Sequence, residues 1–202
     1  MDNFTNEQLL VAKEIVSDGL EKAAESLSFF LNEKVSLFQS EDAEISDIST
    51  ISLQKKPGDI IYFLTTKVIG ELKGVCCLIF SEQEVSMLHK AALPPEVLND
   101  PTMMAEMGDA IMLEVDNIIS ASVITQFSNA LKVKIHGGVP SLQKINFEDM
   151  ATYISEEISK ELYLISFKTN FETDNMNFSP EFLWLFDNTF VETIQEFSKQ
   201  NA

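Results

Sequence analysis

Residues 104–140 read MAEMGDAIMLEVDNIISASVITQFSNALKVKIHGGVP. Between Met103 and Leu131, apolar residues recur about every 3.6 positions, a pattern that predicts an amphipathic α-helix. Residues 131–136 then alternate between apolar and polar side chains, which predicts a β-strand. The stretch therefore predicts a long helix followed at once by a strand.

Two polar side chains, Glu114 and Asn117, share one face of this helix. At about 100° per residue they stand one turn apart, to one side of the apolar arc that includes Ile111 and Val115. We expect both to project toward solvent or a partner. Ordinary solvent-facing helix residues would show the same short pattern, and this alternative stays open.

The spacing extends beyond the helix, because twenty-two residues separate Asn117 from Pro140. The resulting pattern, E-x2-N-x22-P from Glu114 to Pro140, resembles the active-site signature of the CheC/CheX/FliY family of phosphatases. That signature usually opens with Asp or Ser four residues before the Glu. Here the position is Ala110, with Asp109 one residue away. The departure leaves the central pair intact.

Residues 6–33 predict a first long helix, in which Glu14 and Ser17 repeat the E-x2-N spacing with Ser in place of Asn. The resemblance implies that two-site family members carry a second E-x2-N on this helix. The residue twenty-three positions beyond Ser17 is Ser40, where Pro is expected. A hydroxyl cannot offer an acceptor and two donors at the reach of a carboxamide. The first site is therefore predicted to be degenerate and inactive.

The same order of elements occurs twice, about one hundred residues apart. After its long helix, the first half (about 1–93) predicts a strand at 34–38, a short helix within 41–56, a hairpin of 59–70 and 74–80, and a helix at 82–92. After its own, the second half (about 102–202) predicts a strand at 131–135, a helix at 147–159, strands at 161–172 and 178–186, and a helix at 188–199. Ser81 and Asp187 are the predicted caps of the two last helices.

The resemblance implies an α/β (α+β) fold with pseudo-twofold symmetry, built as one CheC-like domain over residues 1–202. It implies a six-stranded antiparallel sheet and two long helices that expose the sites. On composition alone, two domains with a boundary at 93–101 are an alternative.

The composition is strongly acidic. Thirty-two Asp and Glu residues against fourteen basic residues, all of them Lys, give a formal net charge of −18. Such a surface repels nucleic acid and anionic lipid, so neither is an expected partner. The N-terminus lacks a basic segment followed by an apolar one, and we expect a cytoplasmic protein without membrane insertion.

The cysteines and histidines predict no metal site. Cys76 and Cys77 are adjacent in a strand-like run, where neighbouring side chains point to opposite faces, and we expect reduced packing residues. His89 and His136 have no partners at metal-ligand spacing.

Four methionines crowd the start of the motif helix: Met103, Met104, Met107 and Met112. Met-rich faces can be adaptable docking surfaces, but core packing is the favoured interpretation.

The resemblance also implies a reaction. A CheC-type protein with one intact site hydrolyses the aspartyl phosphate of a CheY-like response regulator in two-component signalling. Asn117 would orient the attacking water, Glu114 would pair with the regulator's Lys, and Pro140 would shape the adjacent loop. The chain would need no cofactor of its own, because the regulator supplies Mg²⁺. The alternative is a noncatalytic module that binds a regulator or the deamidase CheD, or a scaffold like the flagellar switch proteins.

Overall fold

The computed structural model describes residues 6–39, 44–45, 58–157 and 163–201, which form an α/β fold. Its helices are α1 (Asn6–Leu31), α2 (Glu82–Ala92), α3 (Pro95–Leu98), α4 (Pro101–Leu131), α5 (Met150–Glu157) and α6 (Asn188–Asn201). Its strands are β1 (Ser36–Gln39), β2 (Glu44–Ile45), β3 (Ile60–Gly70), β4 (Gly74–Ser81), β5 (Ile135–Gly137), β6 (Ser141–Asn146), β7 (Tyr163–Glu172), β8 (Asn177–Phe178) and β9 (Glu181–Phe186). The predicted fold class is confirmed. The helix predicted within 41–56 lies almost entirely outside the described residues.

The strands form one antiparallel sheet. Six of them follow the order β1-β7-β9-β4-β3-β5, while β2 and β8 pair with β7, and β6 pairs with β3. Over the residues that the structure describes, the sheet therefore has three strands more than the predicted six: β2, β6 and β8. The long strands β3 and β7 are long enough to pair with more than one partner along the same edge, which explains the difference. Strand β6 was not predicted at all.

The outer strands are exchanged between the two halves of the chain. Strand β1 pairs with β7, with Phe38 opposite Asn170, and β5 pairs with β3, with Gly137 opposite Val68. The strands β4 and β9, one from each half, pair in the middle of the sheet. Each half therefore completes the sheet of the other.

The two long helices end in the same way. Asn32 and Lys132 have φ angles of 53° and 58°, in the left-handed region that terminates a helix. Each lies eighteen residues after the glutamate of its helix, Glu14 or Glu114. The strand predicted at 131–135 is consequently wrong in its limits, because Leu131 is still helical and β5 begins at Ile135.

Close packing of α1 on α4 forms the layer above one face of the sheet. A Cβ atom on Gly19 would lie 2.6 Å from the Cα atom of Val123, so only glycine permits this approach. Phe127 of α4 packs against Trp184 of β9 and Phe190 of α6 in an aromatic cluster. Helix α4 is long and apolar enough to span a membrane by length and composition, but core helices of globular folds pass the same test.

The opposite face of the sheet packs on α5. Cys76 belongs to the larger core beside α1 and α4, and Cys77 to the smaller core with Met150 and Ile154. Both thiols are buried and free, and burial raises the pKa of each well above its ordinary value. The prediction that these side chains point to opposite faces as packing residues is confirmed.

Both predicted helix caps are present. The Ser81 hydroxyl accepts from the Glu84 amide, and the Glu84 carboxylate accepts from the Ser81 amide, which is a capping box. At α6, the Asp187 carboxylate accepts from the Phe190 amide at 2.9 Å. Each cap therefore turns the chain from a central strand, β4 or β9, into the helix that ends its half.

Candidate functional site

The outward flank of α4 carries both residues of the predicted active pair. The exposed residues along this flank follow one another at spacings of four and three, which is the spacing of one helix face: Met103, Met107, Ala110, Glu114, Asn117 and Ala121. Among the described residues, the side chains of Glu114 and Asn117 have no hydrogen-bond or ion-pair partner. A carboxylate and a carboxamide are thus presented one turn apart to an external partner.

The loop that contains Pro140 joins β5 to β6 beside α4. Its start is fixed by the Gly138 amide, which donates to the Lys67 carbonyl at 2.8 Å. Its end is fixed by a 2.6 Å hydrogen bond between the hydroxyl groups of Ser141 and Thr65. Between these anchors, Val139 is 92% exposed. The loop therefore presents an apolar side chain next to Pro140.

Asp109 does not replace the Asp or Ser that the signature usually has at the position of Ala110. Its carboxylate lies 2.8 Å from the Lys144 ammonium group on β6. The same ammonium group lies 5.0 Å from the centroid of the Tyr62 ring. The hydrogen bond with Asp109 raises the pKa of Lys144. The carboxylate of Asp109 is therefore paired with Lys144 of β6 and is not directed at Glu114 or Asn117.

The structure places the degenerate pair at the equivalent position of α1. Glu14 and Ser17 are both exposed, as Glu114 and Asn117 are. Ser40, the counterpart of Pro140, lies outside the described residues. The first helix thus presents a carboxylate and a hydroxyl where the second presents a carboxylate and a carboxamide.

Sequence reasoning missed a polar residue beneath the site, Asp116. Its side chain is fully buried, and its Oδ2 atom accepts a 2.6 Å hydrogen bond from the Thr66 hydroxyl on β3. Burial raises its pKa to about 7, while the hydrogen bond from Thr66 acts in the opposite direction. The available signal was an acidic residue within the apolar arc of an otherwise amphipathic helix.

The methionines at the start of α4 divide between core and surface. Met112 is fully buried, as core packing predicts, whereas Met103 and Met107 are 42% and 39% exposed. The core-packing prediction is wrong for these two, because their spacing puts them on the flank of Glu114.

The histidine on α2 has a packing contact. The Nε2 atom of the buried His89 ring lies 2.9 Å from the carbonyl oxygen of Gly108 on α4. Burial lowers the pKa of His89. In the part of the chain that the structure describes, no three His, Cys, Asp or Glu residues are grouped to hold a metal ion.

Comparison with known proteins gives matches among solved structures alone. No protein-family model and no curated protein matches the sequence. FliY from Thermotoga maritima is 16% identical, with a TM-score of 0.72 over 100% of both chains. The FliM middle domain from H. pylori is 12% identical, with a TM-score of 0.57 over 96% of this chain and 99% of that chain.

A third similar structure is the complex of CheX with CheY, BeF3 and Mg²⁺ from Borrelia burgdorferi. It is 15% identical, with a TM-score of 0.55 over 87% of this chain and 99% of that chain. These identities are low, and the likeness concerns the fold. Together they confirm, at the level of the fold, the resemblance predicted from the E-x2-N-x22-P pattern: the chain has the CheC/CheX/FliY fold.

Proposed function

We propose that this chain is a phosphatase that hydrolyses the aspartyl phosphate of a CheY-like response regulator. The observation that carries the proposal is the unpartnered pair Glu114 and Asn117, exposed one turn apart on the flank of α4. A convex helix flank cannot enclose a small substrate, since small-molecule sites are concave. It can instead enter the active-site cleft of another protein.

The chemistry asks little of the residues on α4. An aspartyl phosphate is an activated acyl phosphate, and its hydrolysis needs chiefly a positioned water molecule. The oxygen of that water forms a bond to phosphorus as the bond from phosphorus to the regulator's carboxylate oxygen breaks. Inorganic phosphate and a free aspartate result. Asn117 cannot act as a base, but its carboxamide can hold and orient the water.

Glu114 has a different role in the proposal. Its carboxylate would pair with the lysine of the regulator's active site, so that docking brings Asn117 to the phosphoryl group. The Mg²⁺ ion would be the regulator's own, bound beside its aspartyl phosphate. Pro140 would restrict the backbone of the loop beside the helix. The protein would act in the cytoplasm, together with its regulator.

Two exposed apolar side chains, one on the Pro140 loop and one on the flank of α4, fit a protein partner. Val139 and Met107 are exposed on the loop and on the flank of α4, where apolar contacts of a docked protein would be buried. One of the similar structures is a complex of CheX with CheY. That likeness supports a CheY-like partner for this chain.

A noncatalytic binding module is the second candidate. The chain is also similar to the FliM middle domain, and a FliG–FliM complex is among its neighbours. Ala110 and Ser17 depart from the phosphatase signature in the direction that this alternative expects. CheD stays a predicted partner of such a module.

Turnover of a phosphorylated regulator separates the two candidates. A CheY-like regulator is phosphorylated in the presence of Mg²⁺, and phosphate release is followed with substoichiometric amounts of this protein. We expect accelerated release that the folded double variant Glu114→Ala/Asn117→Ala does not give. Binding of the regulator without acceleration would favour the noncatalytic module.

A further inference from the structure

We propose that Asp116 is a positioning residue, which fixes Asn117 relative to the Pro140 loop through its hydrogen bond to Thr66. The inference rests on the proposed function and adds a residue that the E-x2-N-x22-P signature does not contain. Asp116 itself touches no substrate, because its side chain is fully buried.

The first step is the link between α4 and β3. The Thr66 hydroxyl donates to Asp116 Oδ2 at 2.6 Å, and both side chains are buried. Asp116 precedes Asn117 in the chain and lies in the same helical turn as Glu114. A contact at this position therefore sets the rotation and height of the turn that carries the pair.

The second step is the link between β3 and the loop. The residues on either side of Thr66 hold the two ends of the loop: Lys67 accepts from the Gly138 amide, and Thr65 bonds with Ser141. Thr66 itself borders the loop, since a Cβ on Gly137 would lie 3.3 Å from its Cγ2 atom. Three consecutive residues of β3 thus connect the catalytic turn to the loop.

The third step is the cost of keeping an acid at this place. Asp116 Oδ1 and Ser120 Oγ are buried and have no hydrogen-bond partner among the described residues. A buried carboxyl group with an unsatisfied oxygen destabilises a fold, and an apolar residue of similar size is often more stable. Packing alone would therefore favour an apolar residue at this position.

The first half of the chain supplies the internal comparison. At the equivalent position of α1, one hundred residues earlier, stands Val16, which is fully buried. Its neighbour is Ser17, which lacks the carboxamide. The polar link is thus present in the half with the intact pair and absent in the half with the degenerate pair.

The test uses the residue that the first half provides. The variants are Asp116→Val, which removes the link, Asp116→Asn, which keeps an oxygen acceptor for Thr66, and Thr66→Val, which removes the donor. We expect Asp116→Val to unfold at the same or a higher temperature than the parent and to bind the regulator equally well. Its kcat for phosphate release should fall about 10-fold to 100-fold with KM unchanged, because a small misplacement of a positioning group acts on the reaction step.

Asp116→Asn and the variant of the hydrogen-bond partner, Thr66→Val, complete the set of measurements. Asp116→Asn should recover most of the kcat, and Thr66→Val should lose as much as Asp116→Val, with no further loss in the double variant. Ile119→Val, a core change on the same helix, serves as the control and should keep its kcat. If Asp116→Val has the same kcat as the parent, the positioning role of Asp116 is overturned and the proposed function is not. A parent that releases no phosphate from the regulator would overturn the proposed function together with it.

Discussion

Lys144 and Asp109 form an ion pair, with 2.8 Å between Nζ and Oδ1, that ties the strand after Pro140 to the helix of Glu114. The two side chains are 46% and 44% exposed, so the pair should contribute no more than about 1 kcal/mol to stability. Its main consequence is chemical. Asp109 is engaged with Lys144, so it does not stand in for the Asp or Ser that the signature usually has at the position of Ala110.

The first prediction concerns this ion pair. Asp109→Asn should change phosphate release less than about threefold and lower the free energy of unfolding by less than about 1 kcal/mol, because the pair is half exposed. Lys22→Ala, which breaks the exposed Lys22–Glu25 pair of α1, is the matched control. A loss of activity of about 100-fold in Asp109→Asn alone would show that Asp109 acts at the site.

A second prediction concerns the carboxamide. Asn117→Ala should lower the rate of regulator dephosphorylation by roughly 100-fold or more, because the water loses its positioning group. Folding and regulator binding should persist, since the side chain is exposed. Asn129→Ala, another exposed Asn on α4, is the control for the loss of a surface amide. An unchanged rate in Asn117→Ala would refute the assigned role.

The carboxylate of the pair should matter chiefly for docking. Glu114→Lys places a positive charge against the regulator's lysine, and we expect association to weaken by about 2 to 5 kcal/mol if the contact is desolvated. Calorimetric titration at two salt concentrations measures the effect. Glu21→Lys on α1 makes the same change in net charge on another helix and should bind normally. Equal affinities of Glu114→Lys and the parent would remove the docking role.

The fourth prediction tests whether the first half is a degenerate copy of the second. In an Asn117→Ala background, Ser17→Asn restores the carboxamide on α1 and Ser40→Pro restores the loop residue. We expect the combined variant to recover part of the hydrolysis. In both halves the residue that terminates the helix lies eighteen positions after the glutamate, and the glutamate is exposed. Absence of regulator binding at that face would contradict this equivalence. Activity of the Asn117→Ala parent itself would show that Ser17, or another residue, already works.

The last prediction is a pH dependence of stability. Burial raises the pKa of Asp116 to about 7 in the folded protein, while an unfolded Asp titrates near 4. Between these values the folded state retains a proton that the unfolded state has lost, so this group's contribution to stability decreases as the pH rises. The free energy of unfolding of Asp116→Asn should therefore rise relative to that of the parent, and the difference should grow by about 2 to 3 kcal/mol from pH 5 to pH 8.

Denaturant titrations across this pH range measure the difference between the two proteins. The neighbouring thiols of Cys76 and Cys77 do not interfere, because burial raises the pKa of each well above its ordinary value. Parallel stability curves for parent and variant would show that Asp116 does not titrate in this range.

The sequence by itself determined the long helices, the helix caps, the repeat and the exposed pair. The periodicity of α1 and α4, the cap at Ser81 and the repeat at one hundred residues depend on neighbours within a few positions, and such local patterns are readable along the chain. The exposure of Glu114 and Asn117 follows from the same helical period. The spacing to Pro140, together with the repeated order of elements, predicted the fold, which the structural comparison confirms.

The tertiary structure alone decided how these elements meet. Asp116 and Thr66 are fifty residues apart, and Asp109 and Lys144 are thirty-five apart, so neither contact has a local pattern. Both depend on how α4 is rotated over β3 and β6. The exchange of β1 and β5 between the halves depends likewise on the register of distant strands. These contacts are fixed only when the whole core is packed, since that packing selects one register among many.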